Sequence, residues 1–171
     1  MASSFTITYV GGPTALLEVG GLRLLTDPTF DPPGRRYNFG WGTSSRKLDG
    51  PALTPEALSP VDAVLLSHDH HDDNLDDAGR AMLPSVGQVL TTPSGAKRLG
   101  GNAAGLAPWS STTLAMPEGG ELRVTATPAR HGPPRDDEGT AYQQVWPRQA
   151  KPAGAGPFSP GEMYVLSRDG G

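Results

Sequence analysis

This sequence predicts a mixed α/β domain, and three observations predict it. Short apolar runs, several with a period of two, recur along the chain and alternate with brief stretches of helical character. Glycine and proline number 23 and 18 among 171 residues, roughly twice their ordinary share. Such punctuation disfavours long helices and coiled coils and favours short strands joined by many turns. All four histidines stand directly after two predicted strands, where α/β folds gather their chemistry.

Taken in order, Phe5, Ile7 and Tyr9 alternate with Thr6 and Thr8 and predict a half-buried strand that Gly11-Gly12-Pro13 ends. Ala15 to Val19 and Leu22 to Thr26 flank Gly20-Gly21, a two-residue link that signals a hairpin. From Asp27 to about Pro60 no period is sustained, so a long loop is expected, and loops of that length in compact domains are usually functional or disordered. Val61 to Leu66, apolar apart from Asp62, predicts a strand buried on both faces. A short helix over Leu75 to Met82, a strand over Gln88 to Thr92, and a helical turn over Ser94 to Leu99 stopped by Gly100-Gly101 follow. Ser111 to Leu114 is a weaker strand, Glu121 to Thr127 a clearly alternating one, and Met163 to Leu166 a last one after the glycine- and proline-rich loop from Pro147 to Gly161. No repeat or interdomain linker interrupts this pattern, so residues 1–171 are expected to form a single domain.

Composition excludes several function classes. The formal net charge is −4 and the 14 Lys and Arg residues form no run, so a nucleic-acid partner is not expected. With no cysteine, thiol catalysis, zinc ribbons and iron–sulfur clusters are excluded. The N-terminus has no export signal and no segment is apolar over the ~20 residues needed to span a bilayer, so a cytoplasmic protein without a transmembrane segment is expected. No Gly-x-Ser-x-Gly elbow, phosphate loop or dinucleotide fingerprint occurs.

What remains is the histidine cluster. His68, His70 and His71 follow the Val61 strand, His131 follows the Leu122 strand, and Asp69, Asp72, Asp73, Asp76 and Asp77 crowd the first group. Carboxylates this dense repel one another, and a divalent cation is the simplest compensation. Imidazole and carboxylate are also the usual sulfur-free ligands of zinc. A His-x-His-x-Asp turn lets two imidazoles grip one ion while the carboxylate turns toward a second. The plainer alternative is that Asp72, Asp73 and Asn74 cap the following helix, which leaves three histidines in four positions unexplained.

These residues carry a resemblance. Leu25-Thr26-Asp27-Pro28, Val61 to Leu66, Ser67-His68-Asp69-His70-His71-Asp72-Asp73-Asn74-Leu75-Asp76 and Ala126-Thr127-Pro128-Ala129-Arg130-His131-Gly132 resemble, in the same order, the metallo-β-lactamase superfamily. The similarity is to its branch with L-ascorbate-6-phosphate lactonase and N-acyl-phosphatidylethanolamine phospholipase D. The resemblance implies an αββα sandwich with a metal site at the edge of two sheets. It implies a metal-dependent hydrolase acting on a small-molecule ester, lactone or phosphodiester, with one or two zinc ions, or manganese, as cofactor. By position, His68, His70 and His131 would bind the first ion, and Asp72 would bind the second and serve as the catalytic carboxylate that orients the attacking water. The family pattern ends in histidine where this chain has Asp73. Counting back from Leu75-Asp76 instead selects His71, Asp73 and Asn74, and one extra residue in the motif would give a His-x-x-His-x-Asp spacing through His68, His71 and Asp73.

Asp27 is a candidate hydrogen-bond partner of a ligand histidine or, equally, a turn aspartate before Pro28. The loop carrying Phe39 and Trp41 is a candidate substrate wall, and Trp109 is expected to pack. No histidine follows His131, and neither Glu162 nor Asp169 sits in a counterpart of the family's later Gly-Asp motif. The resemblance therefore leads to the expectation that the chain corresponds to the N-terminal part of the fold, incomplete at the C-terminus. That makes a catalytically inactive metal-binding module, or a homo-oligomer that depends on its partner, the alternative to a hydrolase.

Overall fold

The computed structural model describes residues 5–40, 43–127 and 163–168, with the backbone alone at 39–40, 43 and 163–168. Eight elements build the first layer. Strands β1 (Phe5–Gly11), β2 (Thr14–Val19) and β3 (Leu22–Thr26) form an antiparallel meander whose β2–β3 turn places Gly20 and Gly21 at φ of 55° and 82°. That left-handed pair is the turn a two-residue Gly-Gly link selects. From β3 the sheet continues in parallel through β6 (Ala63–Leu65), β7 (Gln88–Thr91) and β8 (Ala103–Gly105), in the order β1-β2-β3-β6-β7-β8. Helices α2 (Asp77–Met82) and α3 (Pro93–Leu99) are the crossovers between β6, β7 and β8.

A second sheet, β9 (Ser111–Ala115), β10 (Glu121–Thr127) and β11 (Met163–Arg168), is antiparallel with β10 in the centre. Two apolar clusters sandwich the first sheet. Leu25, Val64, Leu66 and Val89 pack with Leu58, Leu75, Met82 and Leu83 on its helical side. On the other side Leu24, Ala63, Leu65 and Leu90 meet Leu122, Val124 and Ala126 of β10, closing the two sheets on each other. β6 is thus buried on both faces, as its unbroken apolar run predicts.

Four local expectations are corrected. Residues 27–60 are not one loop: β4 (Arg36–Gly40) and β5 (Thr43–Arg46) form a hairpin, and α1 (Pro55–Leu58) follows. Among the ribbon's described side chains only Tyr37 is buried, so they carry no alternation; α1 did carry a signal, Thr54 at the N-cap with Pro55 behind it. The helix expected from Leu75 begins at Asp77, capped by Asp76, whose Oδ1 accepts from Gly79 N–H at 2.8 Å, so Asp72, Asp73 and Asn74 do not cap it. Phe5, Ile7 and Tyr9 are 54%, 60% and 68% exposed, because β1 is an edge strand paired only with β2. Trp109 is 70% exposed at φ 64° and does not pack.

Candidate functional site

β3 and β6 run parallel and end together, with Thr26 opposite Leu65. One residue on, Asp27 takes φ +26°, a conformation that residues bearing a Cβ hold only under constraint. The constraint is visible. Asp27 N–H donates to the Leu65 carbonyl at 3.2 Å, its own carbonyl accepts from Thr14 Oγ1 at 2.7 Å, and its Oδ1 accepts from Ser67 N–H at 2.7 Å. The carboxylate thereby ties the exit of β3 to the residue that precedes the histidines.

His68 is buried, 1% exposed. Its Nδ1 lies 2.9 Å from Ser67 Oγ, which in turn accepts from the Asn74 amide. With Nδ1 engaged by the hydroxyl, Nε2 faces His71 Nδ1 at 3.1 Å. The ring centroids of His68, His70 and His71 stand 5.0, 5.0 and 4.4 Å apart. The loop closes as a turn, with Asn74 and Leu75 N–H both donating to the His71 carbonyl at 3.0 Å.

The aspartates divide by surroundings. Asp69 is buried between the crossovers, where Arg98 donates Nε to Oδ2 at 2.8 Å and Nη2 to Oδ1 at 2.6 Å, and Arg80 Nη2 donates to its carbonyl at 2.6 Å. Burial alone raises this carboxyl's pKa; the Arg98 hydrogen bonds and charge override it, and the group is held below the usual carboxylate value. Asp72 is 66% exposed and faces Arg35 at 3.5 Å. Asp73 Oδ1 is buried and has no hydrogen-bond partner among the described residues. Asp76 caps α2 and also accepts from the N–H groups of Phe30 and Asp31, anchoring the loop after β3. His131 and Trp41 lie outside the described residues, as does the side chain of Phe39.

A cleft of about 130 Å³ opens on the cluster, lined by Tyr37, Asn38, His70, His71 and Asp72. Tyr37 and Asn38 belong to β4, just before the Phe39 and Trp41 that were expected to wall the site. Tyr37 is buried and donates its hydroxyl to Asp31 Oδ2 at 3.2 Å. Burial first, and then the Asp31 charge and hydrogen bond, push its pKa far up, so the phenol stays neutral. Ser67, Asn74, Arg98 and Tyr37 escaped the sequence reading. Only the position of Ser67 and Asn74 on either side of the histidines could have pointed to them.

Whether these residues suit a metal is answered by their donors. Bonds of about 2.0 Å to a tetrahedral zinc set neighbouring donors about 3.3 Å apart. The 3.1 Å between His68 Nε2 and His71 Nδ1 is close to that edge, and Asp73, two residues on, has a buried oxygen with no hydrogen-bond partner among the described residues. The ligand types fit. Among the described residues no group of three or more His, Asp or Glu side chains is already gathered around one point.

The chain matches the family model described as a beta-lactamase superfamily domain over residues 22–146. It is 39% identical over 71 residues to an uncharacterized protein of Mycobacterium tuberculosis, covering 42% of this chain and 18% of that one. It is 24% identical over 139 residues to N-acyl-phosphatidylethanolamine-hydrolyzing phospholipase D 1 of Caenorhabditis elegans, covering 75% and 38%. Among solved structures, the isothiocyanate hydrolase from Delia radicum gut bacteria superposes with a TM-score of 0.56 at 24% identity, over 74% of this chain and 49% of that one. A metallo hydrolase of Ignicoccus hospitalis superposes with a TM-score of 0.56 at 21% identity, over 81% and 53%. These structural likenesses establish the fold. The chain spans about half the length of those solved relatives and less than two fifths of the curated ones.

Proposed function

The chain belongs to the metallo-β-lactamase superfamily, and on that premise we propose that it carries the metal-ligating turn of a hydrolase for small-molecule esters, lactones or phosphodiesters. The observation that carries the reading is the buried His68 Nε2 facing His71 Nδ1 at 3.1 Å, where β6 leaves the sheet. His68, His71, Asp73 and His131 would hold the ion, zinc first and manganese second. The shorter spacing through His68, His70 and Asp72 is the competing assignment. Asp73 supports the longer spacing because its oxygen is buried without a partner, whereas Asp72 is largely exposed and beside Arg35. When bound, zinc supplies a Lewis acid and a water whose pKa falls from 15.7 toward about 7.

The chain's own residues do the positioning. Ser67 and Asn74 hold the plane of His68 by engaging Nδ1, so that Nε2 is the nitrogen turned toward His71. The motif carboxylate accepts the proton of the attacking water. Tyr37, kept neutral, offers the cleft wall a hydroxyl and an aromatic face instead of a charge.

Lactone, phosphodiester and thioester substrates assayed with zinc, manganese or chelator test this reading. Turnover that is lost on chelation and restored by metal is the expected result. Absence of turnover with every metal refutes the hydrolase and leaves the inactive metal-binding module.

A further inference from the structure

A second cavity, of about 480 Å³, lies beside the histidine cleft and shares Tyr37 with it. It runs between the β1–β2 turn and the segment after β5, with Tyr9, Val10, Leu48 and Ala52 as apolar wall. Asp73, two residues past His71, also lines it. A space of this size suits a small ligand, since such sites commonly measure about 300–1,000 Å³.

Its chemistry is set by Lys47. The ammonium of Lys47 is buried and has no hydrogen-bond partner among the described residues. Its backbone is clamped, Lys47 N–H donating to the Arg35 carbonyl at 2.8 Å and Gly34 N–H donating to the Lys47 carbonyl at 2.8 Å. A buried ammonium left unpaired costs several kcal/mol, and folds keep such groups where a counter-charge arrives with a ligand. We propose that this cavity is an anion subsite in which Lys47 binds the carboxylate of a small, partly apolar acid. Arg46, Asp49 and Asp73 are the other charged residues on its lining, so the four charges balance and a singly charged head is favoured over a dianion. As a statement about substrate, this rests on the hydrolase reading: the carboxylate end sits on Lys47 and the scissile end lies toward Asp73 and the histidines. As a statement about binding it stands independently.

Calorimetric titration of the metal-stripped full chain with phenylacetate, neutral phenylacetamide and phenyl phosphate tests it, using the parent, Lys47→Met and Lys47→Arg. Phenylacetate should bind the parent at least tenfold more tightly than phenylacetamide. Lys47→Met should lose that preference and Lys47→Arg should keep most of it. Lys47→Met should also melt no lower than the parent, because it removes an unpaired charge and no hydrogen bond. Unchanged phenylacetate preference in Lys47→Met, no binding at millimolar phenylacetate, or tighter binding of phenyl phosphate would overturn the assignment. No metal or turnover enters the readout, so intact binding with no hydrolysis sinks only the hydrolase reading. Hydrolysis with no Lys47-dependent binding sinks only this one.

Discussion

The pairing of buried Asp69 with the more exposed Arg98 decides how rigidly the histidine turn is held. Asp69 separates His68 from His70, and its bidentate contact with Arg98 joins that turn to α3. Replacing Arg98 by Ala leaves the buried carboxylate without its bidentate partner, at a cost of about 1–3 kcal/mol because Arg98 is itself one third exposed. Denaturant unfolding at neutral pH should show that loss. The pH dependence has a definite sign. The folded pKa of Asp69 lies below the unfolded value of about 3.9, so its stabilisation is present above that value and is lost as pH falls through the folded one. Arg98→Ala should therefore flatten the acid limb of the stability curve relative to the parent. For the histidines, Ser67→Ala removes the hydroxyl on His68 Nδ1 and should weaken metal affinity about 10–100-fold, read by competition with a chromogenic chelator. The gathering of His68, His70 and His71 at the exit of β6 was legible from residue type and order alone. Which carboxylate is the more buried was not, because Asp72 and Asp73 are the same residue type side by side in the chain.

At the scale of elements, α2 is positioned by two contacts with the loop after β3. Asp76 accepts three backbone N–H groups, those of Gly79, Phe30 and Asp31, and Gly79 lies against the Pro28 carbonyl so closely that a Cβ would collide with it. Alanine in a helix ordinarily gains up to about 1 kcal/mol over glycine. Here the collision is with backbone, and overpacking of that kind costs about 1–3 kcal/mol, so Gly79→Ala should lower the melting temperature. Asp76→Ala should be worse, at about 2–4 kcal/mol, since three donors lose their acceptor. Strands β2, β3, β6, β7, β9 and β10 were readable because each has an apolar face or core to match its pattern. The β4–β5 ribbon and β8 were not. Of the described side chains in that ribbon only Tyr37 is buried, so no period emerges from them, and Ala103-Ala104-Gly105 pairs with β7 on backbone hydrogen bonds with small side chains that leave no hydrophobic trace.

At the scale of the molecule, the six-stranded and three-stranded sheets lie face to face, and the histidine turn stands at one edge of the larger sheet. β3 and β6 deliver Asp27 and the histidine turn there, while His131 follows four residues after the last residue of β10. No helix among the described residues is long and apolar enough to cross a membrane. A metal joining the two groups would stabilise the fold by mass action, about 2.7 kcal/mol at a hundredfold excess over its Kd. Chelation should then lower the unfolding midpoint, and added zinc should restore it. The most direct measurement is metal content by mass spectrometry on protein purified without chelator, comparing the parent with Asp72→Asn, Asp73→Asn and the His68→Ala/His131→Ala double variant. The parent and Asp72→Asn should retain metal, Asp73→Asn should lose most of it, and the double variant should hold none. Equal metal in the parent and the double variant would contradict the account.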